Sequence, residues 1–547
     1  MNLFHKITDK IFHSNILSKY IAHNEKYFKP IISEDKILLE FNNWKPLHIS
    51  FSYLANFLSK KFNSSIIAYP GYTLISENLE RSFLKKLKFY LGKILRINNF
   101  GVFHSMGVSD ILTIKISNLN NKKSLKFFNK LKKKIKTRKD ILNIKIENIE
   151  IGDLIYDTYL AKKKIATINP SDNNFQIFLL DVIKYFYSWL EYLKSNKVKA
   201  IITSHSVYTI AIPLRISLKL NIPCYVCSPG SIYKLTKKNY LCETEFFEFR
   251  KKFSKLTSTE KKIALKESER RINLRLGGKV GVDMGYSSRS SFSKKKNKAK
   301  VLKKNRKIKV LIATHCFLDA PNAIGKLLFS DFYEWLEFLG EFSKKETKYD
   351  WYIKSHPDFK IESYIILKNF LKKFPHIKLI EPKTSHHQLK KEGINFALTC
   401  YGTIGFEYAM LGIPVINASK NNPHISYNFN FHPKSIKEYS SLLKNLDNLK
   451  LKINKKEIFE YYFMMHIYYT KNWLFDDLAL IEKKAGGFRK IYNEKIYDLW
   501  TKEFNTSKHY KIFERIKNFI DNKNFRLDYK SAKFHLKDEI NKGRNIN

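Results

Sequence analysis

Short, unbroken apolar runs alternate with stretches of helical periodicity along most of the chain. In the first half, residues 37–41, 65–69, 198–203 and 224–227 read as strands, and 101–104 and 111–116 read the same way. Residues 52–61, 175–194 and 210–220 carry apolar positions at helical spacing. The strand-like runs are continuous rather than alternating, the pattern of parallel strands covered on both faces. A second series follows, with strands at 309–314, 351–354, 377–381, 395–399 and 414–417 and helices around 332–342, 364–374, 387–392 and 403–411. Strand, helix, strand in regular succession is the grammar of a doubly wound α/β domain, and it occurs twice. Beyond residue 450 the chain becomes helical and aromatic.

Length and composition set the domain plan. A chain of 547 residues exceeds what one hydrophobic core supports. Residues 255–275 are charged and helical, and a glycine-rich passage, Gly277-Gly278-Lys279-Val280-Gly281, and a serine-rich run lead into lysines. The sharpest change of composition lies there. The expected plan is an N-terminal Rossmann-like domain over 1–290, a basic linker over 291–306, a C-terminal Rossmann-like domain over 307–450 and a helical extension over 451–547.

The formal charge is +50, from 100 Lys+Arg against 50 Asp+Glu. Lysine is spread along the whole chain together with Asn, Ile, Phe and Tyr, and neither zinc-finger spacing nor an RNP-type aromatic run accompanies it. No specific nucleic-acid partner is therefore expected, whereas acidic ligands and an anionic membrane surface remain suitable partners. The stretches 122–139 and 294–307 are read as solvated faces or linkers. Five cysteines fit a reducing, cytoplasmic compartment. Cys224 and Cys227 have C-x-x-C spacing but lie in an apolar strand with no second pair to complete a metal site, so no metal is expected. The N-terminus lacks the pattern of a signal peptide, and the apolar stretch 175–193 is interrupted by Asp181, Lys184 and Glu191. Any membrane contact is expected to be peripheral.

The chemistry concentrates in the second half. Thr399-Cys-Tyr-Gly-Thr-Ile-Gly-Phe-Glu-Tyr-Ala-Met-Leu-Gly-Ile-Pro-Val-Ile-Asn417 reads as strand, tight turn, helix opening at Thr403, and strand. Free N–H groups at a helix start favour a phosphate or pyrophosphate, and Gly402 and Gly405 permit close approach of backbone and ligand. Glu407, one turn on, is placed to accept hydrogen bonds from ribose or sugar hydroxyls. The alternative is that Gly405 and Gly412 only let helix and strand pack and that Glu407 is a solvated helix residue. Lys354-Ser355-His356-Pro357 ends a strand with a cation and an imidazole, at the edge where open α/β sheets bind ligands, and Pro357 turns the chain away. His356 is the candidate donor to a phosphate or leaving group. His315 and Asp319, after the first strand of the second series, are expected to border the same edge.

Three pieces carry a resemblance: Thr314-His-Cys-Phe-Leu-Asp-Ala-Pro-Asn322 with Asp331-Phe-Tyr-Glu-Trp335; Trp351-Tyr-Ile-Lys-Ser-His-Pro357; and Gly402-Thr-Ile-Gly-Phe-Glu407 with Gly412-Ile-Pro-Val415. In them the chain resembles bacterial capsule and surface-carbohydrate transferases related to Kdo transferases. The first half matches only in style, through Ile151-Gly-Asp-Leu-Ile-Tyr-Asp157 and Ser204-His-Ser-Val-Tyr208. The resemblance implies a GT-B-like fold of two Rossmann-like parallel-sheet domains facing a cleft, with a C-terminal helical segment. It also implies transfer from a nucleotide-sugar donor, bound by the second domain, to a glycan or glycolipid acceptor held mainly by the first, without a bound dinucleotide or other cofactor. The Lys-x-His-Pro element is similar to that of enzymes using cytidine-linked donors, which makes a CMP-linked sugar the preferred donor. Inverting transfer needs a base near the acceptor hydroxyl, and His205 is the leading candidate, with Asp110 and His104 behind it; the alternative is that His205 is only a hydrogen-bonded histidine at a strand end. An Asp-x-Asp metal motif, a P-loop, a Gly-x-Ser-x-Gly elbow and a zincin motif are missing. A 2-epimerase-like enzyme of sugar nucleotides and a non-catalytic scaffold of polysaccharide assembly are the competing readings.

Overall fold

The computed structural model describes residues 13–71, 74–75, 83–292, 299–356, 358 and 360–544. Pro357, residues 293–298 and the first twelve residues lie outside them. The chain forms two compact units. Unit 1 comprises Met1–Tyr156, Asn169–Cys242 and Tyr469–Asn547; unit 2 comprises Asp157–Ile168 and Glu243–Tyr468.

Unit 1 is built on the strands β1 (Lys36–Phe41), β2 (Ser65–Pro70), β3 (Val108–Ile111), β6 (Val198–Thr203), β7 (Cys224–Ser228) and β8 (Ser231–Leu235); β4 (Lys145–Ile146) and β5 (Ile149–Glu150) form a separate small ladder. The sheet order is β3-β2-β1-β6-β7-β8, parallel except for the β7–β8 hairpin. Helix α1 (Lys45–Phe62) follows β1, and α2 (Phe83–Leu95) and α3 (Asn99–Ser105) precede β3. Residues 101–104, which read as a strand, belong to α3. Four residues of an apolar run do not distinguish strand from buried helix, and here the chain turns before pairing at Val108. The expected strand at 111–116 begins earlier and stops at Ile111. Cys224 and Cys227 are buried in β7, and burial raises both thiols.

Apolar side chains of β1, β2 and α1, among them Ile37, Leu39, Leu54 and Ile66, share one buried cluster with Trp473, Trp500, Ile512, Ile516 and Phe519. The C-terminal helices Lys495–Glu503 and Thr506–Asp521 are thus part of the core of unit 1. His48 and the Tyr497 hydroxyl meet at 2.6 Å, and Lys234 donates to the carbonyls of Ile520 and Asn522 at the end of the second helix. A cation there satisfies carbonyls that have no partner within the helix.

Unit 2 has five parallel strands in the order β11-β10-β9-β12-β13: β9 (Ile308–Ala313), β10 (Tyr349–Lys354), β11 (Lys378–Ile380), β12 (Phe396–Thr399) and β13 (Val415–Asn417). These elements fall within a residue or two of those read from the sequence. The long charged helix α4 (Ser258–Leu276) starts in a capping box of Thr257 and Glu260; α5 (Ile404–Met410) follows β12, and α6 (Lys455–His466) lies near the end of the unit. Among the described residues, no helix is long and apolar enough to cross a membrane.

Candidate functional site

Each sheet grows outward on both sides of its first strand. The chain leaves β9 toward β10 and β11, then returns to its other side with β12 and β13; β1 has β2 and β3 on one side and β6 and β7 on the other. Ligands of open α/β sheets bind beyond the C-terminal ends of the strands at such a switch point. These switch points lie at the ends of β9 and β12 in unit 2 and of β1 and β6 in unit 1.

In unit 2, His315 bridges the two strand ends. Its Nε2 accepts the Cys400 N–H at 3.2 Å and lies 3.0 Å from the Thr399 hydroxyl, which itself accepts the Gly402 N–H at 3.1 Å. A ring nitrogen that accepts an amide N–H is unprotonated, so Nδ1 carries the proton. The ring stacks on Phe332 with centroids 4.5 Å apart, and burial lowers its pKa to about 3. His315 is thus a neutral clamp that shapes the 399–402 turn. Asp319 is exposed on the loop beyond, its carboxylate accepting the Ala320 N–H at 2.9 Å.

The helix after this turn starts at Ile404, and Thr403 gives it no side-chain cap. Gly402, Gly405, Phe406 and Glu407 donate their amides to the turn itself. Among the described residues, the amides of Thr403 and Ile404 make no hydrogen bond. A Cβ on Gly402 would come within 2.8 Å of the Thr399 hydroxyl, so the tight turn requires glycine. Gly405 differs: a Cβ there would meet the His424 ring at 2.3 Å. Its open face is filled by His424, a loop residue, while Gly412 has φ +78° and serves the turn into β13.

Glu407 is buried, not solvated. Arg275, from the last turn of α4, donates through Nε at 2.6 Å to Oε1, and its Nη2 lies 2.6 Å from the same oxygen. Oε2 makes no hydrogen bond among the described residues, so one carboxylate oxygen is fixed and the other is not. Arg275 is anchored in turn, because one helical turn earlier Arg271 pairs with Glu267 at 2.9 Å and Asp283 at 2.6 Å, and Tyr462 of α6 donates to Asp283 at 2.7 Å. The glycine-rich passage after α4 lets the chain fold back, with positive φ at Gly278 and Gly281, so that Asp283 reaches Arg271.

Lys354 and His356 stand at the end of β10. Lys354 is buried and donates to the Pro382 carbonyl at 2.9 Å; desolvation lowers its pKa to about 8, against the opposing pull of Glu407. His356 is exposed at its surface, yet crowded enough for desolvation to lower its pKa, with Asp358 and Glu407 opposing. The Asp358 N–H donates to Nδ1 at 3.1 Å, leaving Nε2–H as the outward donor of the neutral ring. Asp358 is held by Ser288, whose amide donates to it at 3.1 Å. Tyr286 is exposed at its surface, and desolvation raises the pKa of its hydroxyl against the opposing pull of Arg275.

In unit 1, His205 is exposed beyond the end of β6, with its ring edge-on to Trp44 at 5.7 Å and its carbonyl accepting the Thr203 hydroxyl. Asp110 on β3 pairs with Lys93 at 2.5 Å, and His104 approaches the Val108 carbonyl at 3.1 Å. Three strand spacings, about 14 Å, separate β3 from β6, so Asp110 and His205 do not act on one hydroxyl as the sheet stands. Sequence reading missed Glu40. At the end of β1 this fully buried carboxylate accepts the Ser204 N–H at 2.5 Å and the Asn42 side-chain amide at 3.2 Å. Burial pushes its pKa up to about 7. It thereby fixes the turn that presents His205. A carboxylate inside an otherwise apolar strand was the available signal. Arg275 was missed for another reason, since it lies far from Glu407 in sequence.

Among the described residues, no group of three or more His, Cys, Asp or Glu could hold a metal ion. No protein-family model and no curated protein sequence matches the chain. Among solved structures it is similar to UDP-GlcNAc 2-epimerase from Neisseria meningitidis bound to UDP-GlcNAc, at 10% identity and TM-score 0.23 over 78% of this chain and 97% of that one. It is similar to a putative UDP-N-acetylglucosamine 2-epimerase from Listeria monocytogenes, at 11% identity and TM-score 0.24 over 79% and 91%. The wall teichoic acid polymerase TagF gives 12% identity and TM-score 0.21 over 92% and 94%. Likenesses this low carry no argument about activity, and the fold of two Rossmann-like units with a C-terminal helical segment rests on the chain's own parallel sheets.

Proposed function

We propose that the chain is a glycosyltransferase that takes a sugar from a nucleotide-activated donor and passes it to a surface polysaccharide or its lipid-linked precursor. The observation that carries this reading is Glu407, buried at the switch-point edge of unit 2 with one oxygen locked by Arg275 and the other unengaged among the described residues. An oriented carboxylate of this kind suits the paired hydroxyls of a ribose. The Nε2–H of His356 and the amides of Thr403 and Ile404 supply neutral donors for the phosphate, with Lys354 adding positive charge from the wall. Donors fixed in advance at the place where charge develops on a departing phosphate are the main electrostatic contribution to such a transfer. His205, held by the turn that Glu40 anchors, serves as the base toward the acceptor in unit 1. A CMP-linked donor remains the preferred choice on the Lys-x-His-Pro resemblance.

The test is a thermal-shift and calorimetric panel of CMP, CDP, UDP, GDP and ADP on wild type, His356→Ala and Glu407→Gln. A ligand at a hundred times its Kd stabilises the folded state by about 2.7 kcal/mol. Stabilisation by one nucleotide, lost in both variants, is the expected result and names the base. Absence of binding to well-folded protein overturns the donor site in favour of a scaffold. Products that stay nucleotide-linked would instead identify an epimerase.

A further inference from the structure

Helix α2 carries apolar residues on two faces, only one of which is buried. Phe89 meets Phe100 with ring centroids 5.2 Å apart, and a Cβ on Gly92 would sit 2.7 Å from the same ring, so this face docks closely beside α3. The other face is open. Phe83 is 76% exposed, Leu84 73% and Tyr90 61%, and Leu87, Leu91 and Ile94 are exposed as well. At 100° per residue these six positions fill an arc of about 120°, while Phe89 and Gly92 lie on the far side of the helix. Lys86 and Lys88, both exposed, border the arc on its two sides, and the helix holds four lysines and no acidic residue. An apolar arc edged by lysines, whose stems lie along apolar surface while their heads stay in water, is the pattern of a helix lying in a membrane interface. A protein carrying a net +50 adds the same sign of charge.

We infer that α2 is a membrane-docking helix, seating its exposed apolar face in the surface of an anionic lipid bilayer. Its position fits an enzyme with a lipid-linked acceptor: Lys93 of α2 pairs with Asp110 and donates to the Ile111 carbonyl at 3.2 Å, which ties the helix to the C-terminal edge of the sheet that also presents His205. The docking itself does not rest on the transferase reading, because it is measured without substrate or turnover.

The experiment is flotation of the full-length protein with vesicles of phosphatidylcholine alone and of phosphatidylcholine with 30% phosphatidylglycerol. Wild type, Leu87→Asp/Leu91→Asp and Lys86→Glu/Lys88→Glu are compared, each checked for an unchanged melting temperature and run on a sizing column with light scattering. The expected result is binding of wild type to the anionic vesicles at least ten-fold tighter than to the neutral ones. Both variants should lose ten-fold or more of that binding. Wild type that does not float with anionic vesicles overturns the proposal. So does a Leu87→Asp/Leu91→Asp protein that binds as wild type does, which would move the contact elsewhere. A wild-type dimer that the leucine variant converts to monomer, with no vesicle binding, would assign the face to a second copy of the chain. Should the leucine variant melt earlier, the lysine variant, altered only at exposed positions, decides.

Discussion

Arg275 and Glu407 meet across 132 residues of sequence, and the pair is mostly withdrawn from water. Removing one member of such a pair leaves the other charge uncompensated, which is far more destabilising than the pair is stabilising. Arg275→Met is expected to lower the stability of the protein by about 3 kcal/mol, read from urea midpoints. It should also weaken nucleotide binding, because Glu407 loses the contact that orients it. Arg275→Lys, which restores charge without the planar fork, should recover part of the stability and less of the binding. Equal loss in both variants would show that the charge alone contributes nothing and that the contact depends on the guanidinium fork. Glu40 makes a different prediction. Its native pKa of about 7 lies above the ordinary value of 4.5, so between those values the native state keeps a proton that the unfolded chain has released. Stability therefore falls as pH rises through that window, by about 3 kcal/mol in all, and the loss is complete above pH 7. Glu40→Gln cannot ionise, so the stability difference between wild type and variant should drift across pH 5 to 8; a constant difference would show that Glu40 does not titrate there.

At the scale of single elements, the turn between β12 and α5 joins two glycines with different duties. Gly402 leaves no room for a side chain against Thr399, whereas Gly405 accommodates the His424 ring. His424 is fully buried, with neither ring nitrogen hydrogen-bonded among the described residues, and burial holds it neutral. It cannot retreat toward solvent. Gly405→Ala is expected to destabilise by about 1–3 kcal/mol, the usual effect of forcing volume into a packed interior, and His424→Ala in the same chain should relieve it. Denaturant midpoints of the two single variants and the double variant test this, and additive losses would count against direct contact. The motif's spacing was legible in the sequence, and so were the strands of unit 2, whose apolar runs have strong periodicity and clear boundaries. What spacing could not tell is which glycine faces a ligand and which faces a histidine from another loop, since that depends on where residues 422–430 come to lie. Strands in unit 1 were harder. The run Gly101-Val102-Phe103-His104 is apolar enough for a strand and short enough for a helix, and tertiary packing decided for the helix.

For the molecule as a whole, the decisive feature is that the chain leaves unit 1 after Cys242 and comes back to it at Tyr469. A linear reading assigns residues after 450 to an extension, because periodicity reports that a helix has a buried face and not what buries it. In the structure Trp500 is buried edge-on to Tyr53 and Phe475, at 5.7 and 5.3 Å, and Tyr20 stacks on Tyr497 at 4.1 Å. Residues from the two ends of the sequence therefore close one core. Trp500→Ala should cost about 3–5 kcal/mol, as large-to-small changes of aromatic core residues do. A chain ending at Tyr468 should fail to fold unit 1, because the apolar faces of α1 and β1 would then lie open. The nucleotide panel separates this from damage to the donor site. Every residue assigned to that site lies within unit 2, so a Trp500→Ala protein that still folds should bind nucleotide with unchanged Kd while its first unfolding transition moves to lower urea. If Kd changes along with the transition, the two units do not unfold independently, and the C-terminal helices bear on donor binding as well as on the core they complete.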